Sequence, residues 1–241
     1  MLSPMLQALI FDVDGTLADT ERDGHRPAFN AAFAEAGLAW DWDEALYGEL
    51  LEVTGGKERI RFFCARHAPE FLQPPDADAR IRDLHAAKTR HYVKLCAQGI
   101  PLRPGVATLL REARATGLRL AIATTTTPEN ITALLAPDVL ALFEKVGAGD
   151  TVPNKKPAPD IYQWVLAELG LPATACLAIE DSANGLKASR GAGLATVITR
   201  TAYTDDHDFS GALALLPDLD QVTVPLLRHW HASAYDRDKN L

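Results

Sequence analysis

Short apolar runs at residues 7–13, 118–123, 175–179 and 194–198 alternate with helix-patterned stretches, and that rhythm leaves few folds open. Runs of this length with little polar interruption suit strands buried on both faces. Gly117, Gly170 and Gly193 precede the last three runs, where a helix ending in a left-handed residue can turn into the next strand. Strand and helix in alternation predict an α/β fold, a Rossmann-like parallel sheet with helices on both faces.

Residues 21–98 break the rhythm. Helical patterns fall at 25–36, 42–51, 57–67 and 77–96, separated by Gly37, by Gly55-Gly56 and by the proline-flanked stretch 69–75, with no buried strand among them. The expected organisation is a core of residues 1–20 and 99–241 with a helical cap inserted at 21–98. The insertion departs just after the first strand, so it stands over the carboxyl end of the sheet, where open α/β folds bind ligands.

Charge narrows the ligand. A net charge of -8 opposes nucleic acid and anionic membrane, which reward clustered Lys and Arg, so an anionic ligand must meet local positive charge. No stretch is apolar for long enough to span a bilayer. Arg22 is the first basic residue and Asp12 and Asp14 interrupt the first apolar run, unlike a secretory signal. Cys64, Cys96 and Cys176 are scattered and odd in number, which fits neither a disulfide framework nor a zinc site and points to a reducing cytoplasm. No coiled-coil seam is visible, and a monomer is expected.

The chemistry gathers at strand ends. Asp12-Val13-Asp14-Gly15-Thr16 closes the first run; carboxylates two apart on a strand share a face, and Gly15 lets the backbone turn away. Such a pair suits a nucleophile kept ionised by a metal beside a carboxyl that carries a proton, although an exposed Asp-Gly turn is common on its own. Thr124 to Thr127 follow the second run and read either as phosphoryl-binding hydroxyls or as a helix cap. Lys156 before Pro157, with Lys155 adjacent, is either an anion-neutralising ammonium or a solvated basic turn. Glu180-Asp181-Ser182 closes the third run, as metal-binding carboxylates or as the cap of the next helix.

Taken together and in this order, the four motifs resemble those of the haloacid dehalogenase superfamily from Asp12 to Gly193. The resemblance implies Asp12 as nucleophile, Asp14 as general acid and base, Thr124 and Lys156 as catalytic partners and Thr125 beside the phosphoryl oxygens. It also implies Mg²⁺ held by Asp12, the backbone carbonyl of Asp14, Glu180 and Asp181. Further into the cap, Thr20 to Arg26, Gly55 to Arg59 and Lys155-Lys156-Pro157 resemble the CbbY branch, close to the β-phosphoglucomutases. The activity known in that branch removes a phosphate from xylulose 1,5-bisphosphate, a misfire product that inhibits Rubisco. Glu21 and His25 would then line the sugar side and Lys57 and Arg59 would hold the distal phosphate, with Tyr47, His85 and Lys88 as further cap candidates. One departure stands out: His25 lies five residues after Thr20, where many relatives place it four after, so it could be rotated off the substrate. A small phosphorylated sugar is the expected partner. A phosphomutase, which returns the phosphoryl group to its substrate, is the nearest alternative, and a non-catalytic binding protein is a remoter one.

Overall fold

The computed structural model describes residues 5–236. After β1 (Ala8–Phe11) the chain enters a π-helical turn (Glu21–His25) and then α1 (Arg26–Glu35), α2 (Glu44–Leu50), α3 (Gly56–His67) and α4 (Ala77–Cys96). It returns through α5 (Val106–Ala115), β2 (Arg119–Ala123), α6 (Pro128–Leu134), α7 (Pro137–Leu140) and β3 (Lys145–Gly147). It finishes with α8 (Asp160–Leu169), β4 (Cys176–Glu180), α9 (Ala183–Gly191), β5 (Ala195–Thr199), β6 (Ala214–Leu216) and α10 (Val224–Asp236). The six strands form one parallel sheet in the order β3-β2-β1-β4-β5-β6.

Register explains why one edge of this sheet carries the chemistry. Phe11 lies opposite Ile122 on one side and Ile179 on the other, so β1, β2 and β4 run out level. Asp12, Thr124 and the Glu180-Asp181 pair therefore emerge together. Side chains alternate between two apolar layers. Leu9, Phe11, Leu120, Ile122, Leu177 and Ile179 pack toward α5 and α10, while Ala8, Ala121, Ala123, Cys176 and Ala178 face α8. The small residues on the second face let α8 sit close to the sheet; a Cβ on Gly147 would crowd Ile161.

Two strands were not anticipated. β3 and β6 are three residues each, occupy the two sheet edges and are only partly buried, too short and too exposed for an alternation to register. The first strand is also shorter than the apolar run, because the chain turns after Asp12. Val13 accepts hydrogen bonds from the backbone N–H of Thr16 and Leu17, and Gly15 has φ +82°, with no room for a side chain beside the Asp181 carboxylate.

The inserted helices have an apolar core of their own. Trp42 is fully buried, its ring 4.7 Å from Phe29, 4.8 Å from Phe33 and 5.4 Å from Phe63. The two crossings between this unit and the sheet are tied together, because Ala18 pairs with Leu102 and Arg103 N–H donates to Leu17 O at 2.9 Å. The Arg103 guanidinium then donates to the carbonyls of Gly15, Thr199, Arg200 and Pro217. At the far end α10 packs Val224, Leu227 and Trp230 into the apolar layer on that face of the sheet; the charged stretch 237–241 that follows it in the sequence lies outside the described residues. Among the described residues no helix is long and apolar enough to cross a membrane.

Candidate active site

A cleft between the helical unit and the carboxyl edge of the sheet has two lobes, of about 410 and 350 Å³, which share Asp14, Glu21, Arg59 and Thr125. The smaller lobe carries Asp12, Thr124, Lys156 and Asp181. The larger is walled by His25, Lys57, His85, Lys88, Lys155 and Asp150.

Lys156 is the electrostatic hub of the smaller lobe. Its buried ammonium donates to Asp12 Oδ1 at 2.7 Å, Glu180 Oε1 at 2.6 Å and Ala123 O at 2.8 Å. The neighbouring Lys155 turns to the other lobe, toward Asp150 and Glu58. Glu180 is fully buried and also accepts from Tyr162 Oη at 2.6 Å. Ser182, and not Asp181, caps α9, accepting from Gly185 N–H at 3.1 Å. Thr124 accepts from the backbone N–H of Thr126, while Thr127 caps α6, so only part of the threonine run faces the chemistry.

Three buried carboxylates, from Asp12, Glu180 and Asp181, bring oxygens within 4.8 Å of one another, an arrangement that could hold a metal ion. The charges ask for one. Lys156 is the only cation paired with any of the three among the described residues. Burial, reinforced by Glu180 and Asp14 against the pull of Lys156, pushes Asp12 up to about 7. Burial beside Asp12 and Glu180 also drives Asp181 well above the usual carboxylate range. Two anions held this far from their ordinary acidity mark a site short of positive charge, and an all-oxygen donor set suits a hard divalent cation.

Asp14 is in a different condition. Its Oδ1 accepts from Thr20 Oγ1 at 2.6 Å and pairs with His25 Nε2 at 2.8 Å, and Lys88 Nζ lies 2.5 Å from His25 Nδ1. A lysine donating to Nδ1 leaves the ring hydrogen on Nε2, directed at Asp14. Burial alone would raise the Asp14 carboxyl, but the pull of the His25 ring, hydrogen bonds from His25 and Thr20 and the positive charge of Lys88 outweigh it and hold it down at about 2. The expected protonated Asp14 is therefore not the resting state, because three donors converge on its side of the cleft.

The extra residue before His25 has a visible outlet. The π-helical turn takes up one residue more than an α-turn would, and His25 enters α1 buried, with its ring stacked on Tyr92 at 4.2 Å. Lys88 sits on the same α4 stripe as Ile81, Leu84 and Tyr92; a lysine at an apolar position of a helix was the signal in the sequence for its part. Thr20, Tyr162 and Asp150 carried no such signal, since each is an ordinary residue until the fold gives it a partner.

The remaining cap residues are divided between two tasks. Glu21 Oε2 accepts from Tyr47 Oη at 2.5 Å, and Arg59 donates to Tyr47 Oη at 3.0 Å and to Leu50 O at 3.2 Å. Arg59 is thus buried at the junction of the lobes. Lys57, two residues earlier, lines the larger lobe but not the smaller, and pairs there with Asp150.

Known proteins are similar to this chain over most of its length. The family model for haloacid dehalogenase-like hydrolases matches residues 6–193. A relative, protein CbbY (plasmid) of Cupriavidus necator, is 51% identical over 235 residues, covering 95% of this chain and 92% of that protein. The crystal structure of CbbY from Rhodobacter sphaeroides in complex with phosphate superposes with a TM-score of 0.85 at 45% identity, over 92% of this chain and 99% of that one. A mutant of the same protein, in complex with xylulose 1,5-bisphosphate, gives a TM-score of 0.85 at 44% identity over the same shares.

Proposed function

This chain belongs to the haloacid dehalogenase-like hydrolases, in their CbbY branch, and we propose that it is a Mg²⁺-dependent phosphatase converting xylulose 1,5-bisphosphate to xylulose 5-phosphate. The observation that carries the reading is the two-lobed cleft. A nucleophile-bearing lobe joins, across Asp14, a second lobe rich in cations, as a substrate with one reacting and one non-reacting phosphate requires. Residues 21–98 act as the cap over a core of 1–20 and 99–241, and the cap's Glu21, His25, Lys57 and Arg59 set specificity.

The positions of the side chains support a reaction through an aspartyl-phosphate. Lys156 occupies Asp12 Oδ1, leaving Oδ2 to attack phosphorus; the bond to the sugar oxygen breaks, and that oxygen takes a proton from Asp14. A dianionic phosphoryl group against Asp14 raises its carboxyl from the low resting value, so that it can carry this proton. Asp14 then takes a proton from water, whose oxygen attacks the aspartyl-phosphate and frees orthophosphate and Asp12. Throughout, Lys156 and the Thr124 hydroxyl hold the equatorial oxygens, and Thr125 reaches them from the shared wall. Asp12, Asp181 and Glu180 would hold Mg²⁺ with the carbonyl of Asp14, and the bound ion supplies positive charge that favours ionised Asp12 and neutralises the phosphoryl oxygens.

The partner is one small phosphorylated sugar, the chain acts as a monomer, and three free, buried cysteines fit a reducing cytoplasm, where the enzyme would clear an inhibitor of Rubisco. The test is Mg²⁺-dependent phosphate release from xylulose 1,5-bisphosphate set beside ribulose 1,5-bisphosphate, with Asp12→Asn as control. Selective turnover of the former, abolished in Asp12→Asn, is the expected result. Release of no phosphate, with isomerisation of a sugar phosphate primed by a bisphosphate, would replace the phosphatase with a mutase.

A further inference from the structure

At the end of the larger lobe Asp150 stands between two lysines from different parts of the fold. Its Oδ2 accepts from Lys57 Nζ at 3.0 Å, and its Oδ1 lies 3.2 Å from Lys155 Nζ. Lys57 opens α3 in the helical unit, whereas Lys155 belongs to the loop before α8 on the sheet. One carboxylate, one oxygen to each cation, bridges the two sides of the cleft as two oxygens of a phosphate would.

We propose that Asp150 is a resident counter-anion that the non-reacting phosphate of a bisphosphate displaces, making Asp150 a specificity-determining residue. The proposal rests on the reading of this lobe as the distal-phosphate site. Displacement is easy because the Asp150 side chain is 68% exposed and swings into water with little desolvation to overcome. The lysines cannot leave as readily, being 35% and 15% exposed. Positive potential persists around them even with Asp150 in place. His85, half-buried between the lobe and Gly56, is pushed down to about 3 by burial and by Lys88, Lys57 and Lys155.

The exchange has a mechanical consequence. In the free protein two exposed carboxylates join cap to core at this end, Asp150 on Lys57 at 3.0 Å and Glu58 on Lys155 at 3.5 Å, contacts of the weak, salt-screened kind. With a bisphosphate bound, a dianion takes over both lysines, so the substrate itself supplies the stronger bridge. A monophosphate lacking a second charge leaves Asp150 where it is. Asp150 thus keeps the two lysines from binding any passing anion tightly, and it assists departure of a product that retains the distal phosphate.

The experiment compares kcat/KM for xylulose 1,5-bisphosphate and for p-nitrophenyl phosphate, at low ionic strength, in the intact chain and in Asp150→Asn, Lys57→Gln and Lys155→Gln. For Asp150→Asn the ratio of bisphosphate to monophosphate should rise about five- to tenfold, through KM, the scale of two partly exposed ion pairs. Each lysine variant should lower the same ratio. If the lysine variants lower it and Asp150→Asn leaves it unchanged or lowers it, the counter-anion role is wrong and the distal-phosphate reading survives. If none of the three moves it, both fall.

Discussion

Lys88 is an ammonium buried on the inward stripe of α4, and replacing it with methionine separates what it does for catalysis from what it costs the fold. Burial, only partly offset by Asp14 and Glu21, lowers its pKa from 10.5 to about 8. At 1.36 kcal/mol per pKa unit that is an unfavourable contribution of about 3 kcal/mol to stability. Methionine fills similar volume without the charge. Allowing about 1 kcal/mol for the lost hydrogen bond to His25, Lys88→Met should gain about 2 kcal/mol, or roughly 4–8 °C in Tm for a chain of this size. The sign has a pH signature. Below pH 8 Lys88 is charged in both states and the whole cost is present; between about 8 and 10.5 only the unfolded state keeps the proton, so the wild type recovers stability and the advantage of the variant disappears. Catalysis should move the other way. Without the donor at Nδ1, His25 loses its fixed tautomer against Asp14, and a hydrogen bond of about 1.5–3 kcal/mol corresponds to roughly a 10- to 150-fold loss of kcat. Thermal unfolding at pH 7 and pH 10, with single-turnover phosphate release, measures both. A variant that melts lower than wild type at pH 7, or that keeps full kcat, would refute the reasoning.

Three further outcomes are expected. Mg²⁺ at a hundred times its Kd should stabilise the protein by about 2.7 kcal/mol, roughly 5–11 °C, reversed by EDTA and absent in Asp181→Asn; an equal shift in that variant would mean the ion binds elsewhere. Tyr162→Phe removes a donor from the fully buried Glu180 and should cost about 1.5–3 kcal/mol, so an unchanged Tm contradicts the assigned contact. His85 has its pKa lowered from 6.5 to about 3; below pH 6.5 the unfolded state takes up a proton that the folded state refuses, and about 3 kcal/mol should be lost by pH 4.5. His85→Gln should shift the acid unfolding midpoint downward, and an identical midpoint would show that His85 does not titrate this way.

The parts of the protein legible in one dimension are those decided by local spacing. Apolar runs marked β1, β2, β4 and β5, the last three with a glycine at the preceding helix end, and a residue placed at the end of such a run had to emerge at the carboxyl edge, which is why Asp12, Thr124 and Asp181 could be named together. The helix of residues 77–96 was readable to its ends because its apolar stripe, interrupted by Lys88, runs from Ala77 to Cys96. β3 and β6 were not, since an edge strand of three residues has no second turn of alternation to betray it. The wide turn at Glu21–His25 was equally hidden: whether an extra residue rotates a side chain or is taken up by a π-turn depends on what the ring can stack against, and Tyr92 lies on another helix.

Strand periodicity, glycine turns and the order of acidic, hydroxyl and basic motifs belong to the sequence by itself, because each is set by neighbours within a few residues. The division of labour among charged side chains belongs to the tertiary structure. Lys155 and Lys156 are adjacent and chemically equal, yet one ammonium is buried on Asp12 and the other faces Asp150. Asp12 and Asp14 are two residues apart, yet one carboxyl is raised to about 7 and the other held at about 2. Such differences arise from burial and from partners brought in from distant segments, and a linear chain contains neither until it folds.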